Sequence, residues 1–509
     1  MKLSFLAVLL SCATVHAATV DIPSDADIQA AVDANPPGTT FRLAPGVYRM
    51  QSVIPKDGDQ FTGALNQAGN RLTILSGAQP LTSFTLDASG NYVAETTQTE
   101  PGLQAGYCSP GHPRCNFPED FFYDNEPYTH NNSGGEALAP GQYYFDYAIG
   151  RIYFRPKNSA DDPTEHTVEY NRIPTAFSGK ASGVTVKNLI VEKYAAPDQF
   201  GAIGGQQPGE RWVLQNNETR FNHGLGLRVS DNGQVVDNYT HDNGQMGMGG
   251  DGKNILVEGN EIARNNYSGT DHDYECGGFK FAYSDGLIVR NNYSHDNIGP
   301  GMWTDISSIR TLYENNLIIN NTGAGIFHET SYDAVIRNNT ILNNGAMLPD
   351  DWFWNAQVQI AGSQNVEAYG NLIMVNSENN GNGIMLIQQN RSNEPCLFGP
   401  CRVINNFIHD NTIIVTGTRW HGSSGGVQDF SGQGDLFSVS SNNRFAGNYY
   451  YVTDTNSAAY WQWADKYQTF RGFRSFGQDA AGSVGPLYAF RNPRQRLLGI
   501  RSAVAEHGH

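Results

Sequence analysis

Between Asn291 and Gly345 the chain repeats itself. The segments NNYSHDNIGPGMWTDISSIR, TLYENNLIINNTGAGIFHETSYD and AVIRNNTILNNG share paired asparagines, a polar turn, a glycine and an apolar alternation. Asn292 to Asn316 is 24 residues and Asn316 to Asn339 is 23. A period in the low twenties, built of short β-type runs and Asn/Gly bends, specifies a solenoid of stacked coils. Leu287/Val289, Ile318 and Val335/Ile341 supply apolar side chains at strand spacing, not helix spacing. The fold class expected is all-β, a right-handed parallel β-helix. The second asparagine of each coil is read at Asn217, Asn238, Asn260, Asn292, Asn316, Asn339, Asn371 and Asn406. Asparagine tolerates left-handed bends and hydrogen-bonds along a stack, so a structural role is assigned to these residues. Three longer intervals hold insertions at 267–278, 346–356 and 390–401. Insertions in a solenoid emerge at its bends and decorate one face.

Taken in order, residues 1–17 (MKLSFLAVLLSCATVHA) read as a secretory signal peptide. No later stretch is apolar for the ~18 residues of a membrane span. A secreted, extracellular monomer is expected. Residues 18–76 form an N-terminal cap and first coils: SDADIQAAVDA gives a short helix with Ser24 as N-cap, followed by a strand over Thr40 to Leu43. Residues 77–170 lose the repeat and read as strand–turn–strand, an inserted antiparallel subdomain rich in aromatics. The β-helix resumes over 171–450, and 451–509 is a C-terminal cap (YWQWADKY) with a basic tail. The formal net charge is −17, one unit more negative once Lys2 leaves with the leader. Such a chain is not a nucleic-acid binder, and global steering towards polyanions is disfavoured. Cys108/Cys115 and Cys396/Cys401 each close a short Gly/Pro-rich loop as expected of disulfides in an oxidising compartment, and Cys276 is left as a buried thiol. Sequons stand at Asn131, Asn217, Asn238, Asn266, Asn292, Asn320, Asn338 and Asn390; the repeat's own composition accounts for most of them.

The chemistry concentrates in two glycine-led runs. GMWTD and GIFHE place Asp305 and Glu329 four residues after Gly301 and Gly325, one 24-residue coil apart. Adjacent parallel strands lie about 4.7–4.9 Å apart, and retaining glycosidases hold their carboxyls about 5–5.5 Å apart. Stacking therefore supplies a catalytic spacing if both acids share a face. Counted from the asparagines the two acids differ by one residue, which a bend must absorb. Aligning coils on HDN adds Asp251 to the column, with Ala282 in the intervening coil and Lys280 two residues before it on the same face. Trp303 and Phe327 precede the acids at i−2. Trp303 is read either as a sugar platform or as packing, and Trp352, Trp354 and Trp420 as further subsite candidates.

On these residues the chain resembles β-helical glycoside hydrolases, in particular retaining β-xylosidases that carry a W-x-D segment and, about one coil later, an F-x-E segment. Here they are Trp303-Thr304-Asp305 and Phe327-His328-Glu329. Related β-helical α-fucosidases also set acids on adjacent coils, and the short helix, strand and PGVY turn near the start resemble the cap of the pectate-lyase-like superfamily. The resemblance implies Asp305 as nucleophile, Glu329 as acid/base, a polysaccharide or oligosaccharide substrate and no cofactor; Asp251 and Lys280 would tune the pair or bind sugar hydroxyls. A rival reading, also by resemblance, is a polysaccharide lyase or C5-epimerase with Lys280 as base and Arg228 neutralising a uronate. In that reading Asp271, Asp273 and Glu275 could hold Ca²⁺, although DHDYE lacks the spacing of a calcium loop. A non-catalytic carbohydrate-binding solenoid is the third reading, and it has no need of acids in register.

Overall fold

The computed structural model describes residues 18–99, 106–272, 274–346, 354–379, 381–391, 395–418, 422–428, 436–458 and 460–490. The leader and the basic tail lie outside them. Among the described residues three long parallel sheets build a β-helix, two of thirteen strands and one of eleven whose last pair is antiparallel. From Thr185 to Trp463 each coil contributes one strand to each sheet. In the first sheet Val257, Val289, Tyr313, Ile336 and Ala368 pair in sequence and all are buried. In the second, Ile262, Ser294, Ile318, Ile341 and Ile373 do the same. Fully burying each such Ile or Val contributes about 1.5–3 kcal/mol. Alternation puts the intervening residues outside. Val335, expected within, is one of these outward residues: Ala334 and Ile336 fill the interior instead.

Two asparagine ladders set the coil register. At the bend between the first and second sheets, the first residue of each pair (Asn216, Asn291, Asn315, Asn338) takes a left-handed φ of 50 to 57°. The second points inward. Asn316 Nδ2 donates to Asn339 Oδ1 (2.9 Å) and to the Val289 carbonyl (3.0 Å), and Asn316 Oδ1 accepts from the Asn292 backbone N–H and Nδ2, both at 3.0 Å. The ladder runs from Asn217 through Asn371 to Asn411 and Asn448, not to Asn406. Asn406 sits at the preceding bend and bonds Asn443; Asp410 has replaced the first asparagine of the true pair, so the NN signal moved. A second ladder, Asn222, Asn243, Asn265, Asn297, Asn321 and Asn344, lines the next bend and ends on Gln357. The first ends on Asp479, whose carboxylate accepts from Asn448 N–H and Nδ2 (both 3.0 Å) and from Tyr450 OH (2.6 Å). Asn217, Asn238 and Asn292 are thus buried rungs and Asn266 is buried beside Thr270, which closes these four sequons to glycosylation in the folded chain.

The N-terminal cap is the helix Ile28–Ala34, which buries Ile28 and Val32. Its N-cap is Asp27, accepting from Ala30 N–H, and not Ser24; Ser24 packs where a side chain at Gly46 would clash. The inserted subdomain consists of a four-stranded and a five-stranded sheet, paired mostly antiparallel. They enclose an aromatic core that includes Phe121, Tyr143, Phe145, Phe154 and Tyr170. Asp120 clamps it to the coils by accepting from His223 Nδ1 (3.0 Å) and Tyr267 OH (2.6 Å). Disulfides join Cys108–Cys115 and Cys396–Cys401, and Cys276 is buried. At the far end Trp461, Trp463, Phe470 and Phe473 close the core. No described helix is long and apolar enough to cross a membrane.

Candidate active site

The third sheet carries the acids. Gly249 pairs Lys280, Lys280 pairs Trp303 and Trp303 pairs Phe327, making one outward column. Two residues on, Asp251 pairs Ala282 and Ala282 pairs Asp305. Glu329 follows His328, the partner of Thr304, and so occupies the next coil of that second column. The unequal asparagine count resolves in the bend after the acids. Ile306 and Ser307, both left-handed, intervene between Asp305 and Ser308, whereas only Thr330 intervenes between Glu329 and Ser331. Ser308 N–H then meets Ser331 Oγ at 3.2 Å, and register is restored.

Each acid is held by a different cation. Asp305 Oδ2 lies 2.8 Å from Lys280 Nζ, and its Oδ1 accepts from Ile306 N–H (2.6 Å) and Thr330 Oγ1 (2.8 Å). Thr330 is the residue after Glu329, so the two coils are tied at the acids. Glu329 is paired with Arg391, which descends from the 390–401 insertion. That insertion is pinned over the bends, with Ser307 Oγ donating to the Pro395 carbonyl and Tyr332 OH to that of Gly399. Asp305 is 7% exposed and Glu329 3%. Lys280 also reaches Glu275 Oε1 at 2.9 Å. Burial works to lower the Lys280 pKa, but Asp305 and Glu275 outweigh it and the ammonium is held above its ordinary value. Lys280 makes no ion pair with Asp251 or Glu329; it bridges Asp305 and Glu275. Asp251 belongs to Arg228, whose Nη2 lies 2.7 Å from Asp251 Oδ1 and whose Nη1 donates to the Gln199 carbonyl. The Asp251 side chain is 42% exposed, at the open edge of the cluster.

Trp303 is not free to receive a sugar. Lys280 Nζ stands 3.8 Å over its ring, and Phe327 stacks at 5.1 Å and 15°. It is 5% exposed and belongs to a satellite cluster with Phe327, Met385, Ile387 and Val427 on the outer face of the sheet. Trp354 joins that cluster edge-on to Phe327; Trp352 and Trp420 lie outside the described residues. His328 points inward, where Thr304 Oγ1 meets its Nδ1 at 2.7 Å and burial lowers its pKa to about 3. Asp273 lies outside the described residues. Among those described, no three of His, Cys, Asp and Glu gather as metal donors.

Arg391, Thr330 and Asp198 were not singled out from sequence. The only signal for Arg391 was the insertion that carries it. Asp198, at the far end of the cluster near Tyr274 and Glu275, has its carboxyl pushed up by burial to about 7.

Residues 202–373 match the family described as "Right handed beta helix region". Among solved structures, XylC in complex with xylose aligns with a TM-score of 0.67 at 14% identity, over 92% of this chain and 83% of that one. The A-modules of the Azotobacter vinelandii mannuronan C-5 epimerases AlgE6 and AlgE4 align with TM-scores of 0.49 and 0.48 at 14% and 13% identity, each over 91% of this chain and 97% of theirs. No curated protein sequence matches the chain. From its three-sheet coils, their register, the family match and the alignment with XylC, the chain is a right-handed parallel β-helix protein.

Proposed function

We propose that the chain is an exported glycoside hydrolase that cleaves a polysaccharide or oligosaccharide with Asp305 and Glu329 as its two carboxylates. The observation that carries this reading is their occupation of consecutive coils in one outward column, each reached by its own cation. The strand spacing suits a retaining mechanism. Asp305, with Lys280, Thr330 and the Ile306 N–H around it, is the nucleophile that attacks the anomeric carbon. Glu329 protonates the departing glycosidic oxygen and later takes a proton from the hydrolytic water. A neighbouring guanidinium favours the carboxylate form, so Arg391 suits the second half-reaction and must yield Glu329 for the first. Trp303 and Phe327 act as a dry wall for the pair. The xylose bound by XylC supports a sugar of that size as the unit to test first.

The lyase or epimerase reading needs a neutral Lys280 to abstract a proton. Clamped by Asp305 and Glu275, the amine is held in its charged form, which favours the hydrolase. The test is product analysis on a polysaccharide panel. New reducing ends without the ultraviolet absorbance of an unsaturated uronate, lost in both Asp305→Asn and Glu329→Gln, are expected. An absorbing product, or full activity in either variant, refutes the assignment.

A further inference from the structure

Away from the acids, a groove of about 470 Å³ runs along the bend between the first and second sheets. Two tyrosines line it, Tyr239 and Tyr293. They occupy one outward column of the second sheet with Glu261 between them, so they stand two coils, roughly 9.5 Å, apart. Each ring is backed by the histidine two residues on: Tyr239 stacks on His241 at 3.9 Å and Tyr293 on His295 at 4.0 Å. Those histidines are themselves anchored, His241 by Asp242 and Glu218, His295 by Asp296 and Glu261. The tyrosines line the groove and the histidines do not. One face of each ring is therefore occupied, and the other turns towards the bend.

Opposite the rings, the floor is made of amides and ions. Arg71 closes one end, fixed by the Asn216 carbonyl (2.7 Å) and Asn216 Oδ1 (2.8 Å), and Gln215 and Lys187 come from the first sheet. Charge along the lining is balanced, with Arg71 and Lys187 against Asp237 and Glu261. A polyanion or polycation gains nothing from that balance, whereas hydroxyl-rich neutral chains find donors, acceptors and two pre-ordered aromatic plates. Pre-ordering lowers the entropy cost of binding, and tyrosine suits a surface that is part apolar and part wet.

We propose that this groove is a glycan-docking site, separate from the acid pair, that takes an extended, uncharged polysaccharide with alternate sugar rings lying on Tyr239 and Tyr293. The two-coil separation is close to the repeat of an extended β-1,4-linked disaccharide. Docking there would keep the protein on an insoluble substrate independently of turnover.

The test measures depletion of the Glu329→Gln protein from solution by insoluble xylan, cellulose and chitin, with and without added salt. Retention on at least one of the three, insensitive to salt, is expected. In the same background Tyr239→Ala with Tyr293→Ala should weaken retention about tenfold, while Tyr239→Phe with Tyr293→Phe should retain it, thermal melting verifying the fold of each. Should the alanine pair fail to fold, Gln215→Trp fills the groove from the first sheet and should give the same loss. No retention on any probe, retention abolished by salt, or equal retention by a folded alanine pair or by Gln215→Trp would overturn the proposal.

Discussion

Asn316 lies in the coil that joins Asp305 to Glu329, and its side chain is the strongest local determinant of how those coils stack. Asn316→Ala removes four hydrogen bonds, two donated by Nδ2 and two accepted by Oδ1. Left behind are the Asn292 N–H, the Val289 carbonyl and one acceptance by Asn339, all without access to water, while Asn292 Nδ2 keeps the Val257 and Arg290 carbonyls. A net contribution of about 1 kcal/mol per bond gives a loss of about 4 kcal/mol, and stranded buried groups push it higher. Asn316→Asp keeps one acceptor but turns the donating end into an oxygen facing two oxygens. At neutral pH it should cost more than alanine. Below about pH 4 a protonated carboxyl can donate again, so the penalty should shrink as the pH falls. The assay is urea unfolding followed by tryptophan fluorescence at pH 7 and pH 4, with the slope m compared between variants. Equal slopes are required, because a solenoid need not unfold in one step. If Asn316→Ala unfolds within about 1 kcal/mol of the parent at equal slope, the ladder does not hold the coils.

Lys280→Met strands the buried Asp305 carboxylate and leaves half-buried Glu275 without its cation, and should destabilise by about 3–5 kcal/mol. With a raised folded pKa, the lysine's contribution is complete at neutral pH and fades only as alkaline pH passes that value; denaturant melts at pH 7 and pH 11 measure both. Arg391→Met should lower reducing-sugar release by about 10²-fold, with circular dichroism unchanged because only the insertion loses its tie to Glu329. Two buried histidines should pull stability in opposite directions. His223, where burial lowers the pKa but Asp120 prevails and raises it, stabilises the subdomain clamp at low pH and loses that contribution as pH rises through its elevated value. His328, lowered to about 3 by burial, is neutral in the fold and costs stability as pH falls from about 6.5 towards 3. Hydrogen exchange in the strand Phe121–Tyr123 that follows Asp120 and in the coil of His328, across pH 4 to 9, separates the two.

What the sequence disclosed follows from how local the repeat is. Asp305 and Glu329 are one coil apart, so spacing alone set them in one column, and the mismatch of one residue pointed to the bend that holds Ile306 and Ser307. The second ladder was also in view: Asn243 and Asn297 are the last letters of the HDN motifs used to align the coils, yet the asparagine itself went unread. Arg391 has no counterpart in other coils and reaches Glu329 across 62 residues, which no periodicity encodes. The outward column left Trp303 open to two readings, platform or packing. Its covers, Lys280 and Phe327, are its immediate neighbours in that column, but whether such neighbours cap a ring or leave it bare depends on side-chain packing. Asn406 misled because an Asn-Asn pair serves two different bends.

Asp479 gives the repeat its full stop. Every earlier rung both takes and passes on an amide proton, but an ionised aspartate can only take. Anyone wishing to lengthen the molecule by grafting another turn after this point would meet a rung with nothing to offer its successor, and would have to restore the amide there first.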